Sequence, residues 1–261
     1  MKIAISGKGG VGKTTIASNI IRYLAGRGLS VYAVDADPDI SLGTALGIPD
    51  EELRDQTPLI DLKEVISEKL GDGALYPLNP RVGDIPDRCA IDFNGIKLLR
   101  MGGVKAGGTA CYCRENSFLK AVVDALVLDR DEVVVMDMGA GIEHLTRGTA
   151  RGVDAMLVVT EPTPISVRTA KVIGQLAGEI GIEKVRYVGN KVRTDRERRF
   201  LEESFAPGEL WAVLPYDEEM LEGSLEGGGS TPTKGRVADR AADIAERLMA
   251  ESRVGTPTAT S

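Results

Sequence analysis

Cysteine, histidine and aromatic residues are scarce in this chain of 261 residues: three Cys, one His, and 4% Phe, Trp and Tyr together, with a single Trp. Cys89, Cys111 and Cys113 are too few and too unevenly spaced for the disulfide framework of a small secreted domain. So few rings leave core packing to Val, Ile, Leu and Ala. No apolar run approaches the roughly 18–20 residues that a membrane span needs, and MKIAISGKGG lacks the charged-then-apolar pattern of a signal peptide. A reducing cytoplasm is the expected setting, without integral membrane contact. Positive charge is also lacking, since 32 Lys+Arg stand against 39 Asp+Glu for a net charge of −7. That balance argues against a protein that holds nucleic acid by bulk electrostatics.

What is present is ordinary globular composition, 43% hydrophobic and 27% charged, with 31 glycines gathered in a few places. Short β-branched runs alternate with helical stretches. Strands are predicted at Lys2–Ser6, Val31–Asp35, Ile96–Met101, Val133–Asp137, Ala155–Thr160, Val185–Asn190 and Leu210–Leu214. Helical patterns cover Gly12–Gly28, Asn116–Leu128, Ile142–Arg151, Ile165–Ile180 and Thr194–Phe205. Continuous apolar runs such as VVVM suit strands buried on both faces. The expected architecture is α/β: one doubly wound, mainly parallel sheet of about seven strands with helices on both faces. A single domain over 1–250 is expected, with a cysteine segment near 101–115 and a flexible tail at 251–261. Residues 71–95 break the alternation and read as an irregular excursion or a short hairpin.

Gly7-Lys8-Gly9-Gly10-Val11-Gly12-Lys13-Thr14 follows the first strand and opens a helix, the context that turns a pattern into a nucleotide site. Its glycines let successive N–H groups curl around phosphates at the positive end of the helix. Lys13 is placed to meet the β- and γ-phosphate oxygens, the Thr14 hydroxyl to bind Mg²⁺, and Thr15 to reach the α-phosphate. Val133–Asp137 is an apolar strand ending in a carboxylate, a charge that is costly at a buried strand tip unless paired; Mg²⁺, through a water, supplies the partner. Met138-Gly139-Ala140-Gly141 then suits a loop that rearranges when the γ-phosphate leaves. Two carboxylates, Asp35 and Asp37, end the second strand, where ligands bind in such sheets. Glu143 and the lone His144 open the next helix, and His144 reads as structural or solvated.

GKGGVGKT resembles the "deviant" Walker A of the MinD/ParA/nitrogenase-iron-protein class. The resemblance implies that Lys8 reaches across a homodimer to the partner's nucleotide, stabilising transition-state charge in ATP hydrolysis to ADP and phosphate. It also implies that Asp37 lies in switch I and positions or activates the attacking water. Asn190 closes the strand in YVGNKV, and its amide can both donate to and accept from an adenine edge, the use the class makes of an Asn there. Pro215 and Asp217 in LPYDEEM lie where related proteins frame the base, and turn formation explains them equally well.

Cys111-Tyr112-Cys113 supplies two thiols at i and i+2. Two thiolates leave a soft metal half coordinated, whereas a pair from each subunit at a two-fold axis gives S₄, suited to Ni²⁺ or Zn²⁺. A redox dithiol or two buried thiols are the other readings; the Gly-rich approach Met101–Ala110 favours thiols presented at a surface. Cys89 stands apart in IPDRCAID. Taken with DADPD, GGVKAGGTACYC, DMGAGIEHLTRGTA and VVTEPTPIS, the chain resembles, from residue 1 to about 220, the CooC family of maturation ATPases for nickel-containing carbon monoxide dehydrogenase. That resemblance implies an ATP-driven metallochaperone whose Cys111 and Cys113 hold an intersubunit metal, with the dehydrogenase as client. Ala110 and Arg114 depart from the family's glycine and proline, which touches the loop and no ligand.

Four other readings compete. A nitrogenase-type iron protein places its two cysteines on separate segments, which leaves the CxC unexplained. A MinD-like positioner wants a basic amphipathic C-terminal helix, whereas the last helix mixes both signs. A ParA-like partner of DNA wants net positive surface, and Arg193–Arg199 reads as a solvated helix face. A metal-responsive scaffold without delivery has the same sequence.

Overall fold

The computed structural model describes residues 1–37, 41–71, 77, 80–102, 113–126, 132–139, 152–218 and 234–254. Eight strands form one sheet: β1 (Lys2–Gly7), β2 (Ser30–Ala36), β3 (Ile91–Phe93), β4 (Ile96–Arg100), β5 (Glu132–Met138), β6 (Ala155–Thr160), β7 (Val185–Val192) and β8 (Leu210–Pro215). Their order is β3-β4-β2-β5-β1-β6-β7-β8. All neighbours run parallel except β3 and β4, an antiparallel hairpin at one edge. The eighth strand is β3, and it lies in the stretch read as an excursion or hairpin. Three residues with turn formers on both sides carry too short an alternation to be seen as a strand in advance.

Alternate residues along the strands feed two cores. Ile3, Ile5, Val135 and Leu157 pack on one face with Ile16, Ile20 and Leu24 of α1 (Lys13–Gly26) and with the last helix of the described chain. Ala4, Val34, Met136 and Val158 pack on the other with Phe118 and Val122. Both faces are therefore covered, which is why the central strands read as unbroken apolar runs. Among the described residues between β2 and β3 lie four short α-helices, α2 (Leu42–Ala45), α3 (Asp50–Asp55), α4 (Lys63–Leu70) and α5 (Ile85–Cys89), and a one-turn 3₁₀ helix at Leu59–Asp61. Then come α6 (Cys113–Ala125), α7 (Pro164–Glu179), α8 (Asp195–Ser204) and α9 (Arg236–Val254). The pattern at Ile142–Arg151 lies outside the described residues. α9 carries its apolar stripe (Val237, Ala241, Ile244, Leu248) into the core beside α1, so its buried face is already covered.

Topology places the site. The chain leaves β1 for β2 and β4 on one side, returns to insert β5 between β2 and β1, and then builds outward through β6, β7 and β8. The direction of winding reverses at β1, and ligands in open α/β sheets bind outside the carboxyl ends of the strands at that reversal. Gly7, Asp37, Gly139, Glu161, Arg193 and Tyr216 all stand at or just past those ends.

Candidate nucleotide site

Residues 8–12 join β1 to α1 as a loop around the helix N-terminus. Gly12 takes φ +93°, and a Cβ there would run into the Asn190 amide, so only glycine fits. Inside the loop, the Val11 N–H and the buried Lys13 ammonium both donate to the Lys8 carbonyl, each at 3.4 Å. Two donors converging on one acceptor at such length are weakly satisfied; a phosphate oxygen answers the same donors with full charge. The Lys8 side chain is exposed.

Beside the loop lies a carboxylate pair. Asp35 and Asp137 are register partners on adjacent strands β2 and β5, and both are buried. The Thr14 hydroxyl donates to Asp137 Oδ2 at 2.6 Å, while Asp137 Oδ1 is buried without a hydrogen-bond partner. Asp35 accepts the backbone N–H groups of Asp37 and Leu42, each at 3.3 Å. Burial pushes Asp35 up to about 7, helped by the charge of Asp137 and opposed by those two N–H groups. Burial likewise raises Asp137 to about 6 against the Thr14 hydroxyl and the Lys13 charge. A hard cation or its bound water satisfies a buried oxygen of this kind, so Thr14 and Asp137 fit Mg²⁺. Asp37 is half-buried at the end of β2.

On the far side of the loop, the tip of β7 reaches it with consecutive residues. Asn190 Nδ2 donates to the Val11 carbonyl at 2.8 Å, and Lys191 Nζ donates to the Gly10 carbonyl at 2.5 Å. Asn190, expected to read adenine, thus also braces the phosphate loop. Lys191 pairs with Glu161 at 2.8 Å and holds φ +60°. Beyond lies a cleft of about 620 Å³ into which Gly12, Thr15, Asn190, Pro215 and Asp217 open together. The Arg193 guanidinium lies 4.1 Å from the centre of the Tyr216 ring at its rim. The phosphate loop, Asp35, Asp37, Asp137, Asn190, Pro215 and Asp217 therefore come to one end of the sheet. Lys191, Glu161 and Tyr216 were not singled out from the sequence, and Arg193, read there as part of a solvated helix face, instead precedes α8 and lies over the Tyr216 ring; the signal for Lys191 was its place beside Asn190 in YVGNKV.

The cysteine pair is another matter. Cys111 lies outside the described residues, as do Glu143 and His144, and Cys113 is described only as the first residue of α6. Among the described residues no group of three or more His, Cys, Asp or Glu side chains is arranged to hold a metal. Cys89 is half-buried on α5, where burial raises its thiol pKa. No helix among the described residues is long and apolar enough to cross a membrane.

Comparison with known proteins accords with this geometry. Residues 2–229 match the CobQ/CobB/MinD/ParA nucleotide binding domain. The chain is 38% identical to the carbon monoxide dehydrogenase accessory protein CooC of Rhodospirillum rubrum, over 84% of this chain and 85% of that protein. It is 40% identical to an ATP-binding protein of Methanocaldococcus jannaschii, over 87% of this chain and 90% of that one. Among solved structures, the septum site-determining protein MinD of Pyrococcus horikoshii, complexed with Mg-ADP, superposes with a TM-score of 0.69 at 23% identity, covering 98% of both chains. MinD of Aquifex aeolicus in complex with MinC gives 0.68 at 20% identity, covering 99% of this chain and 98% of that one. With its phosphate loop, its carboxylate-tipped neighbouring strand and these likenesses, the chain is a P-loop ATPase of the MinD/ParA class and belongs there to the CooC family.

Proposed function

We propose that this ATPase is a metallochaperone. It dimerises with nucleotide, grips one Ni²⁺ or Zn²⁺ between subunits through Cys111 and Cys113, and promotes nickel insertion into a carbon monoxide dehydrogenase. The observation that carries the proposal is the 38% identity to the CooC accessory protein across most of both chains, joined to a CxC in the sequence whose second cysteine is the first residue of α6. Lys13 and the loop N–H groups bind the phosphates, Thr15 the α-phosphate, and Asn190, Pro215 and Asp217 the base. Thr14 and Asp137 would hold Mg²⁺, which would supply neutralisation of phosphate charge.

Asp37 holds the attacking water by accepting its hydrogen bond. The water oxygen bonds to the γ-phosphorus as the bond to the ADP oxygen breaks, the water's proton passes to the departing phosphate, and Lys8 of the partner subunit offsets the charge that develops. Hydrolysis relaxes the loop after β5 and loosens the thiolate site. A tenfold change in metal affinity needs only about 1.4 kcal/mol of coupling to nucleotide.

The test is transfer. Nickel-loaded protein with ATP and Mg²⁺, added to nickel-free apo-dehydrogenase, is expected to restore CO oxidation beyond what free nickel achieves at equal concentration. Activation no better than free nickel identifies a scaffold or sensor instead. Joint replacement of Cys111 and Cys113 by Ser is expected to abolish metal uptake and spare nucleotide binding; stoichiometric metal binding by that variant contradicts the cysteine site.

A further inference from the structure

Lys191 is hard to explain as a strand residue. It sits in β7 with φ +60°, a left-handed conformation that costs a non-glycine side chain about 1 kcal/mol or more. Its ammonium crosses to the phosphate loop, 181 positions away in sequence, and bonds the Gly10 carbonyl, while Glu161 at the tip of β6 holds it from the other side. Asn190 makes the adjoining contact to the Val11 carbonyl. In a planar trans peptide the C=O and the next residue's N–H point in opposite directions. Drawing the Gly10 and Val11 carbonyls toward β7 therefore turns the Val11 and Gly12 N–H groups away from it, into the loop. The Val11 N–H does point there, onto the Lys8 carbonyl.

We propose that Lys191 is a positioning residue for phosphate binding: by pinning the Gly10 carbonyl, with Glu161 holding its ammonium in place, it aims the loop N–H groups at the nucleotide's phosphates. Three neighbouring strand tips then share one device, β1 carrying the loop, β6 the carboxylate and β7 the pin. The strained backbone at 191 is what directs the side chain back over the loop. Because the pin acts on phosphate donors, it serves ATP and ADP alike, although Lys191 and Glu161 also line the cleft beside Asn190, Pro215 and Asp217. This inference rests on reading residues 7–14 as the phosphate cradle.

Nucleotide affinity is measured by calorimetry on the full chain for Lys191→Met, Lys191→Gly, Lys191→Arg and Glu161→Gln, with ATP, ADP and adenosine, alongside thermal unfolding. Lys191→Met is expected to bind ATP and ADP about 5- to 20-fold more weakly, the scale of one charge-assisted hydrogen bond, with adenosine weakened far less. Lys191→Gly relieves the backbone and is expected to unfold no earlier than the parent, yet to lose phosphate affinity equally. Lys191→Arg is expected to restore most of the loss, and Glu161→Gln to produce a smaller loss of the same pattern. Parental ATP affinity in both Lys191→Met and Lys191→Gly overturns the proposal. So does equal weakening toward adenosine and ATP, or a loss in Lys191→Met that Lys191→Gly reverses, because these mark a purely structural residue. Lys13→Ala is measured in parallel: if it retains ATP, the cradle reading has failed; if it loses ATP while the Lys191 variants keep it, only the pin has failed.

Discussion

Asp35 and Asp137 show most clearly how the site trades stability for chemistry. Each is buried on a neighbouring strand, and each holds its proton well above the ordinary carboxylate value, Asp35 to about 7 and Asp137 to about 6. The folded chain therefore keeps protons that the unfolded chain has released. Their contribution to stability is complete below the unfolded value of 3.8 and is lost as pH rises through about 6 to 7. Without nucleotide or Mg²⁺, the unfolding midpoint in denaturant is expected to fall between about pH 4 and 7, and Asp35→Asn to flatten that fall. Asn loses one of the two acceptors for Asp37 and Leu42, a cost that does not change with pH, so the slope isolates the carboxyl. Parallel profiles for parent and variant contradict the assignment.

The proposed charge donor sits on the same loop. Lys8→Ala is expected to slow ATP hydrolysis by at least tenfold with nucleotide affinity little changed; hydrolysis at the parent rate excludes a role across the subunits. At this scale the sequence was most legible where the chemistry is local. GKGGVGKT and the carboxylate after VVVM carry their spacing within a few positions. Lys191 and Glu161 did not show themselves, because Lys191 acts on a loop 181 positions away and Glu161 acts through Lys191.

Among the elements, α6 begins at the second cysteine, Cys113, buries Phe118, Leu119, Val122 and Val123 against the sheet, and ends at the start of β1. Lys2, buried there, donates from Nζ to the carbonyls of Val123 at 2.8 Å and Asp124 at 3.4 Å. These are last-turn carbonyls, otherwise unsatisfied at a helix C-terminus, and a cation suits that end of the helix dipole. The strand that carries the phosphate loop thus holds the helix that carries the second cysteine. Lys2→Met is expected to destabilise the protein by about 1–3 kcal/mol in chemical denaturation, the cost of stranding buried carbonyls; an unchanged midpoint shows that the contact contributes nothing. The long helices and central strands were readable because their apolar periods are long and consistent. The helices α2 to α5 were missed: with four to eight residues each, they offer barely one or two turns of periodicity, and packing rather than propensity decides them.

For the molecule as a whole, the doubly wound sheet follows from strands apolar on both faces, and its point of reversal at β1 fixes where nucleotide chemistry takes place. The chain carries a net charge of −7, and α9 docks its apolar stripe on the chain's own core. In the proposed account the partner is a second copy, since a CxC supplies two of the four thiolates that a tetrahedral or square-planar ion wants. The decisive measurement is metal content per chain together with mass in solution, with and without a non-hydrolysable ATP analogue. One ion per two chains in a dimer, tightened or released by the analogue and absent when Cys111 and Cys113 are Ser, is the predicted result. A protein that stays monomeric under every condition and still holds its ion at full strength contradicts the account.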